Sequence, residues 1–290
     1  MRSLYPKVSI VVLNYNGKDC LRGSLASLFC LGYPNFEVVA VDNNSIDGSL
    51  ESARQSFSRA TFIKNEHNLG FSAGNNVGIK YSLERMAEYV LLLNNDTVVK
   101  KDFLSRLIES AESDKTVGIL SPLIFARDGR AVWFSGGKID WLRMKTEHKK
   151  ELIESNFTRS DFISGCAMLV RAEVFTKIGL LDEDFFLYWE DADFSVRAKK
   201  AGFGLLVVAG AQITHLEKSE EVRKNKVYWL VLSGLLFFRK NVPNCLKLWI
   251  PAYTFLRRVK NWNDVRKNKT EINLAVQKAY RDFSKLKCKK

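Results

Sequence analysis

The sequence predicts an α/β fold in which a mostly parallel sheet is flanked by helices and followed by a basic, helical C-terminal extension. Three observations predict it. Apolar runs typical of buried strands alternate with helical patterns in the first half. The patterns after His215 are helical only. The residues after His215 include 19 Lys and Arg and 6 Asp and Glu, so the whole net charge of +13 lies in this segment. We therefore divide the chain into a folded body, residues 1–215, and an extension, residues 216–290.

The elements of the first half follow from hydrophobic periodicity. A continuous apolar run such as VSIVVL is typical of a strand buried on both faces, whereas spacings of three and four place apolar residues on one helix face. The predicted strands are residues 8–13, 36–41, 61–64, 89–93 and 117–125. The predicted helices are residues 21–29, 49–57, 74–85 and 103–111. Such alternation indicates right-handed crossovers and a parallel sheet.

The second part of the body is less regular. Strands are predicted at residues 133–139 and 162–170, on either side of a polar, mobile stretch at 143–159. Helices follow at 173–178 and 190–201. We divide the body near residue 126.

Composition excludes several classes of protein. The five Cys are scattered without a CxxC pair, which indicates reduced thiols in a cytosol and neither a disulfide framework nor a zinc ribbon. The N-terminal apolar run is too short for a signal peptide. No uninterrupted apolar stretch reaches the length of about 18 residues that a membrane span needs.

Four loops rich in Asn, Asp and Gly follow the predicted strands. Because ligands bind at the carboxyl ends of the strands in such sheets, we expect these loops to form one cleft. The loops are residues 14–17, 42–49, 65–73 and 94–97. Residues 65–78 hold three Gly and four Asn, which suits close approach of backbone amides to a phosphate. The pattern is neither a Walker loop nor a dinucleotide fingerprint.

Two acids in these loops are candidate ligand contacts. Asp96 can hold a hard divalent cation that bridges phosphates, or it can serve a turn or a helix cap. Asp42 can accept from a nucleobase N–H or a ribose hydroxyl, with capping again as the alternative. His215 is one of three histidines in the chain, and a histidine without a neighbouring metal-ligand motif is more often structural than a ligand.

The segment FFLYWEDADFSVR combines aromatic and acidic side chains at a predicted helix start. Glu190 suits the helix dipole, and Asp193 can pair with Arg197 one turn later. Asp191 has no such partner and is a plausible general base for a sugar hydroxyl. Trp189 and Tyr188 are candidates for packing on the C–H faces of a sugar acceptor.

These motifs, in this order, resemble the family-2 glycosyltransferases, most closely the rhamnosyltransferase-like branch. The matching stretches are VSIVVLNYNG, VDNNSIDGS, NEHNLGFSAGNNVG, LLLNNDTV, GCAMLVR and residues 178–197, spread over residues 7–215. The resemblance implies a GT-A fold with a donor half at about 1–126 and an acceptor half at about 127–215. It also implies a nucleotide-sugar donor, a divalent cation (Mg²⁺ or Mn²⁺) and inversion at the anomeric carbon.

Residue roles carried over from the resemblance are expectations. Asp42 would contact the nucleobase, and Asp96 would bind the metal with help from His215, while Asn94 stands where the motif has its first acid. Asp191 would be the base, with Glu190 as its rival. The other expected donor-binding residues are Asn14, Asn16, Asn44, Asn68, Gly70, Asn75 and Asn95. Acceptor contacts are expected from residues 133–159.

Two alternatives stay open at this point. One is a sugar-phosphate nucleotidyltransferase on a similar sheet, although NYNGKD fits its Gly-rich loop poorly. The other is a module that binds nucleic acid or a membrane through the basic extension.

For the glycosyltransferase we expect no nucleic-acid partner and a saccharide or lipid-linked acceptor. We also expect peripheral attachment at the cytoplasmic face of a membrane, through helices at 222–238 and 246–256. Tyr228, Trp229 and Leu232 would pack on the core.

Overall fold

A computed structural model describes residues 5–18, 20–217 and 222–286, with side chains from residue 226 onwards in the last range. The strands are β1 Val8–Asn14, β2 Phe36–Asp42, β3 Thr61–Lys64, β4 Tyr89–Asn94, β5 Thr97–Val99, β6 Val117–Phe125, β7 Val132–Phe134, β8 Gly137–Asp140, β9 Lys145–His148, β10 Phe157–Arg159, β11 Ala167–Arg171 and β12 Gly204–His215. The α-helices are α1 Leu21–Leu28, α2 Ser49–Ser56, α3 Gly70–Glu84, α4 Phe103–Ser113, α5 Ala172–Ile178, α6 Glu190–Lys200, α7 Val222–Asn241, α8 Trp249–Lys267 and α9 Glu271–Lys285.

The central sheet has the strand order β10-β12-β6-β11-β4-β1-β2-β3. Strands β3, β2, β1 and β4 run parallel, so that their carboxyl ends meet at one edge. β11 runs antiparallel between β4 and β6, and β6 is parallel to β12. The predicted α/β fold with a mostly parallel sheet is confirmed, and β11 is the strand that joins its two halves.

The core lies where the sequence places its apolar runs. Val8, Ile10, Val11 and Val12 of β1 have no exposed surface because helices cover both faces of the sheet. α4 shows a one-sided helix pattern, with Phe103, Leu104 and Leu107 buried. Burial of both strand faces therefore stabilises the first half of the chain, as the continuous apolar runs predict.

The second half of the body differs from the prediction. The strand expected at 133–139 is two short strands, β7 and β8, because the chain turns at Gly136, whose φ is 145°. The stretch expected to be polar and mobile contains β9 and β10, which pair with β8 and β12. β11 begins at Ala167, later than predicted, and α3 begins earlier, at Gly70. Strand β12 was not predicted.

The C-terminal extension is helical where it is described, as expected. Trp229 of α7 stacks on Phe186 of the body with ring centroids 4.4 Å apart, and Leu232 is buried. The ring of Tyr228 packs on that of Trp229 with centroids 4.9 Å apart, while its hydroxyl donates to Asp282 of α9 at 2.9 Å. Among the helices that the structure describes, we find none with the length and hydropathy to cross a membrane.

Candidate active site

One amide side chain joins three of the predicted loops. Asn14 Nδ2, at the end of β1, donates to Asp42 Oδ1 at 2.8 Å. The same group lies 3.1 Å from Ser45 Oγ and 2.9 Å from Ser49 Oγ in the loop after β2. Asn95 Nδ2, from the loop after β4, donates to Asn14 Oδ1 at 2.8 Å. These three loops therefore meet at one edge of the sheet, as expected, and their binding of a ligand stays a prediction.

Asp42 supports this edge from below. It has no exposed surface, and its carboxylate accepts from the backbone N–H of Ser45 at 2.9 Å and from the Ser45 hydroxyl at 2.6 Å. In this structure Asp42 holds the loop after β2, and its contact with a nucleobase stays a prediction. Asn14, 1% exposed, has the same role.

Sequence reasoning missed Asn43, the next residue. Its Nδ2 donates to the carbonyl of Gly70 at 2.9 Å and lies 3.2 Å from Asn68 Oδ1. Its Oδ1 accepts from Asn65 Nδ2 at 2.8 Å. Asn43 therefore ties the loop after β2 to the Gly- and Asn-rich loop after β3. The available signal was its position directly after the last residue of a buried strand.

The Gly- and Asn-rich loop turns sharply into α3. Gly70 has φ of 80°, and a Cβ there would lie 2.4 Å from the carbonyl oxygen of Phe186, so only glycine fits. Asn68 Oδ1 accepts from the Gly70 N–H at 2.9 Å. Asn75 is buried, and its amide donates to the carbonyl of Phe71 within α3. Asn75 thus supports the helix in this structure, while donor contact by Asn68, Gly70 and Asn75 stays a prediction.

Three other predicted donor residues have exposed surface at this edge. Asn16 and Asn44 adopt left-handed backbone conformations, with φ of 52° and 62°. Asn16 Oδ1 accepts from the Ile46 N–H at 3.0 Å, which fixes the loop after β1 against the loop after β2. Asn95 is partly exposed beside them. Their contact with a donor stays a prediction.

The predicted metal ligands meet because β5 pairs with β12. Thr97 lies opposite His215 in this ladder, and the Leu216 N–H donates to the carbonyl of Asp96 at 2.7 Å. His215 Nε2 consequently lies 3.2 Å from Asp96 Oδ1. Asp96 Oδ1 and His215 Nδ1 are buried without a well-aligned hydrogen-bond partner in the described part of the chain. The pairing of Asp96 with His215 agrees with the sequence expectation.

The electrostatics of this pair suit a cation. Burial lowers the pKa of His215, but the neighbouring Cys166 and Asp96 outweigh it and raise the pKa to about 11. An imidazole that prefers to be charged beside a carboxylate marks a site of negative potential, where a divalent cation competes with the proton. Among the described residues no cluster of three or more His, Cys, Asp or Glu forms a metal cage. The residues fit a cation that takes one oxygen and one nitrogen ligand from the chain and its other ligands from a diphosphate and water.

Asp191 lies at the start of α6, aimed at the loop before β11. Its Oδ2 accepts from the Gly165 N–H at 2.9 Å, and its Oδ1 accepts from the Ala192 N–H at 2.7 Å. A Cβ on Gly165 would lie 3.2 Å from the ring of Phe71, so glycine lets the backbone approach. Burial raises the pKa of Asp191, opposed by these two N–H groups. The side chain is oriented and partly exposed, as a general base requires.

Glu190 differs from Asp191 in both burial and partners. It is 5% exposed, and its Oε2 is buried without a hydrogen-bond partner among the described residues. Burial raises the pKa of Glu190 well above its ordinary value, and the charge of Asp191 raises it further. Burial without a partner disfavours the charged form of Glu190, whereas two N–H groups stabilise that of Asp191, which favours Asp191 as the base. Asp193 pairs with Arg197 at 2.7 Å, as predicted.

Trp189 anchors the C-terminal extension. Its indole N–H donates to the carbonyl of Leu230 at 3.0 Å, and its ring packs between Phe237 and Phe238 of α7. Its ring and N–H are engaged by α7, and its contact with an acceptor sugar stays a prediction. Tyr188 also has positive φ and is partly exposed, so its acceptor contact stays a prediction.

Trp133 is a second residue that the sequence did not single out. Its ring meets the imidazole of His215 edge to face, with centroids 4.6 Å apart, and that of His148 at 4.7 Å. Burial lowers the pKa of His148 to about 4. The neutral His148 and Trp133 thus link the β8–β9 hairpin to the predicted metal ligand.

The segment before β11 connects the two chemical groups. Gly165 holds Asp191, while the next residue, Cys166, lies beside His215 and accepts at its carbonyl from the Asn94 N–H at 2.9 Å. Asp191 and the Asp96–His215 pair thus lie on either side of one dipeptide.

Comparison with known proteins identifies the family. The family model described as "Glycosyl transferase family 2" matches residues 9–179, more than half of the chain. The chain belongs to glycosyl transferase family 2. The resemblance predicted from the motifs is confirmed, and with it the α/β fold of the GT-A type.

Curated relatives of this family-2 glycosyltransferase include rhamnosyltransferases and a hexosyltransferase. The chain is 28% identical over 244 residues to the low-salt glycan biosynthesis hexosyltransferase Agl10 of Haloferax volcanii, covering 80% of this chain and 74% of the relative. It is 27% identical over 231 residues to N-acetylglucosaminyl-diphospho-decaprenol L-rhamnosyltransferase of Mycobacterium tuberculosis, covering 71% and 75%. It is 26% identical to dTDP-rhamnosyl transferase RfbF of Shigella flexneri, covering 82% of each chain.

Two solved structures share the fold. GalNAc-T7 with UDP, GalNAc and Mn²⁺ superposes with a TM-score of 0.68 at 17% identity, covering 98% of this chain and 55% of that longer chain. The mannosyltransferase PcManGT of Pyrobaculum calidifontis, in complex with GDP-Man and Mn²⁺, superposes with a TM-score of 0.63 at 16% identity, covering 98% and 77%. At these identities the likeness establishes the fold.

Proposed function

We propose that this glycosyltransferase moves a sugar from a nucleotide-sugar donor, with dTDP-rhamnose as the first candidate, to a glycan or lipid-linked acceptor in one inverting displacement. The observation that carries the proposal is the placement of the Asp96–His215 pair and of Asp191 around the Gly165–Cys166 dipeptide. The names of the rhamnosyltransferase relatives support the choice of donor.

On the donor side, Asp96 and His215 would hold a divalent cation against the diphosphate. A bound cation would supply Lewis-acid stabilisation of the charge that develops on the leaving diphosphate. Asp42 and Asn14 keep the surrounding loops in place, so that Asn16, Asn44 and Asn95 can orient the nucleotide.

On the acceptor side, Asp191 would take the proton of the attacking hydroxyl. A bond forms between that oxygen and the anomeric carbon while the bond from the anomeric carbon to the diphosphate oxygen breaks. The proton passes to Asp191, and the electron pair leaves with the nucleoside diphosphate. A single displacement of this kind inverts the anomeric centre. The N–H groups of Gly165 and Ala192 keep the Asp191 carboxylate oriented throughout.

A panel of dTDP-, UDP- and GDP-sugars tests the donor class. We expect release of nucleoside diphosphate from one donor, stimulated by Mg²⁺ or Mn²⁺ and lost in Asp96→Ala. Asp102→Ala is the matched control, because Asp102 is an exposed carboxylate paired with Arg106 on α4. Metal-independent release, or equal loss in both variants, would contradict the proposal. The anomeric configuration of the product, read by NMR, tests inversion.

We also propose that the enzyme attaches to an anionic bilayer surface through α8. Phe255, Val259 and Trp262 recur at helical spacing and are 65%, 40% and 51% exposed. Basic side chains accompany this stripe along α8: Arg257, Arg258, Lys260, Arg266 and Lys267. Exposed apolar side chains with basic neighbours suit the interface of a bilayer, where each basic residue contributes about 1 kcal/mol. Such a location would bring the enzyme to a lipid-linked acceptor.

Flotation with vesicles tests the attachment. We expect binding to vesicles that contain phosphatidylglycerol, weaker binding to phosphatidylcholine alone, and loss in 1 M salt. Trp262→Asp should weaken flotation, whereas Val98→Asp makes the same change of charge at an exposed site on the body and should not. Binding that ignores lipid charge and salt would contradict the electrostatic account.

A further inference from the structure

We propose that the C-terminal helices bind one hydrocarbon chain of an anionic phospholipid in a cavity between α7, α8 and α9, with the phosphate held at its mouth. The cavity has a volume of about 580 Å³, within the usual range of about 300–1,000 Å³ for small-molecule sites. It deepens the proposed attachment to a bilayer and rests on it, since attachment supplies the lipid. Nothing in the chemistry of sugar transfer requires this cavity.

The floor and walls of the cavity are apolar. Leu235 of α7, Ile250 of α8 and Tyr280 of α9 line it and are 6%, 5% and 5% exposed. Phe283 of α9 forms part of the wall, with the guanidinium of Arg239 over its ring at 4.5 Å. A hydrocarbon chain that binds to such a surface is removed from water, which is favourable. A sugar would find few hydrogen-bond partners there.

The charges around the cavity select an anionic headgroup. Arg239, Lys247 and Arg258 are among the lining residues, and no Asp or Glu is among those that the structure describes there. Lys247 and Arg258 are exposed, so both can reach a phosphate at the mouth. An anionic headgroup can form charge-assisted hydrogen bonds with these cations, which an uncharged occupant cannot.

The position of Phe255 indicates that the lipid in the cavity would come from the bilayer. Phe255 lines the cavity and also belongs to the exposed stripe of α8 that we place on the bilayer. The mouth therefore opens on the surface that would lie on the membrane, where anionic phospholipids are the abundant amphiphiles.

The cavity is separate from the active site because α7 lies between them. Phe237 of α7 packs against Trp189 of the body, whereas Leu235 and Arg239 of the same helix line the cavity. A lipid chain bound there would fasten the helices that Trp189 anchors without entering the donor cleft.

Calorimetric titration of the full chain with dihexanoyl phosphatidic acid, below its micellar concentration, tests the proposal. We expect saturable binding of one lipid per chain, at least tenfold tighter than binding of glycerol 3-phosphate or of dihexanoyl phosphatidylcholine. Equal affinity for glycerol 3-phosphate would overturn the role of the hydrocarbon chain, and absence of saturable binding would overturn the site.

Variants locate the binding. Ser284→Trp narrows the cavity mouth and should abolish lipid binding, whereas Ala252→Trp, on an exposed part of α8 outside the lining, should retain it. Lys247→Glu with Arg258→Glu should weaken binding at least tenfold without disturbing buried residues. A change of oligomeric state in Ser284→Trp, measured by light scattering, with lipid binding intact would assign the cavity to a second copy of the chain and overturn the proposal.

The two proposals can fail separately. Wild-type protein that floats with anionic vesicles but does not bind the short-chain lipid would retain the attachment and refute the cavity. Protein that binds the short-chain lipid but does not float would retain the cavity and refute the attachment.

Discussion

Asp191 Oδ2 accepts a hydrogen bond from the backbone N–H of Gly165 at 2.9 Å. This bond fixes the carboxylate at the N-terminus of α6 against the segment that leads into β11. Because the following residue, Cys166, lies beside His215, the same segment sets the spacing between the proposed base and the proposed metal ligands. The relationship makes the roles of these residues separable by experiment.

Asp191→Asn should reduce kcat by about 10²–10⁴-fold, because the amide nearly keeps the size of the side chain but cannot accept the acceptor's proton. The amide oxygen can keep only one of the two N–H bonds that the carboxylate accepts from Gly165 and Ala192. Donor affinity, measured by calorimetry with the nucleoside diphosphate, should stay unchanged. Glu190→Gln is the matched control and should transfer at a near-normal rate, since Glu190 is buried and its charged form is disfavoured. Normal transfer by Asp191→Asn together with loss in Glu190→Gln would reverse the assignment of the base.

Asp96→Ala and His215→Ala should both weaken metal-dependent binding of the nucleoside diphosphate, because each removes one of the two proposed ligands. Asp96→Ala should have the larger effect, since it removes the negative charge. Both variants should fold, as judged by circular dichroism. A His215→Ala variant with normal kinetics and a lower melting temperature would assign His215 a structural role only.

Trp133→Leu should raise the metal concentration needed for half-maximal activity, because it removes the ring that orients His215. The edge-to-face contact contributes about 1 kcal/mol, so a change of roughly threefold to tenfold is expected. Trp141→Leu is the control, since Trp141 stacks on Phe237 of α7 at 5.6 Å instead. An equal shift in metal dependence in the two variants would indicate a general loss of packing.

The stability of the protein should fall as pH rises above the ordinary pKa of Glu190, 4.5, because the folded state holds this proton more tightly than the unfolded state. The contribution is fully present below that value and is lost as pH approaches the raised pKa, at up to about 1.4 kcal/mol per pH unit. Glu190→Gln cannot ionise and should flatten the dependence of melting temperature on pH above 4.5. Asp193→Asn breaks the pair with Arg197 and should destabilise instead. An unchanged profile in Glu190→Gln would contradict the burial of a neutral acid.

Trp189→Phe should leave the KM for the acceptor unchanged and lower the free energy of unfolding by about 1 kcal/mol, because it removes the hydrogen bond to Leu230. Trp189→Ala should cost about 3–5 kcal/mol through loss of packing on α7. Denaturant unfolding and acceptor titration measure the two effects. A raised acceptor KM in a stable Trp189→Phe would support the acceptor-binding role.

Local patterns determined the first half of the molecule. The runs VSIVVL, FEVVAV and YVLLL are buried strands in β1, β2 and β4 because a sheet covered on both faces needs continuous apolar sequence. The rule that ligands meet the carboxyl ends of parallel strands brought the loops after β1, β2 and β4 together correctly. The same motifs, in the same order, also sufficed to recognise the family. These features depend on residues that lie close together in the sequence, so a local pattern is enough to predict them.

The burial and the hydrogen bonds of the site residues depend on tertiary structure, which local sequence patterns do not predict. Asp42 and Asn16 stand in similar polar loops, yet one is buried and the other exposed, because burial depends on which loop packs above. The sequence suggested that Trp189 packs on a sugar, but in the structure its ring packs against Phe237 of α7, a helix that follows it by more than 30 residues. Strand β12 brings His215 to Asp96 through pairing with β5, and long-range pairing of this kind leaves no periodic signal in either segment. The sequence by itself determined the strands, the family and the candidate acids. The fold determined which of those acids are free to act, since only the packing of distant segments fixes their burial and hydrogen bonds.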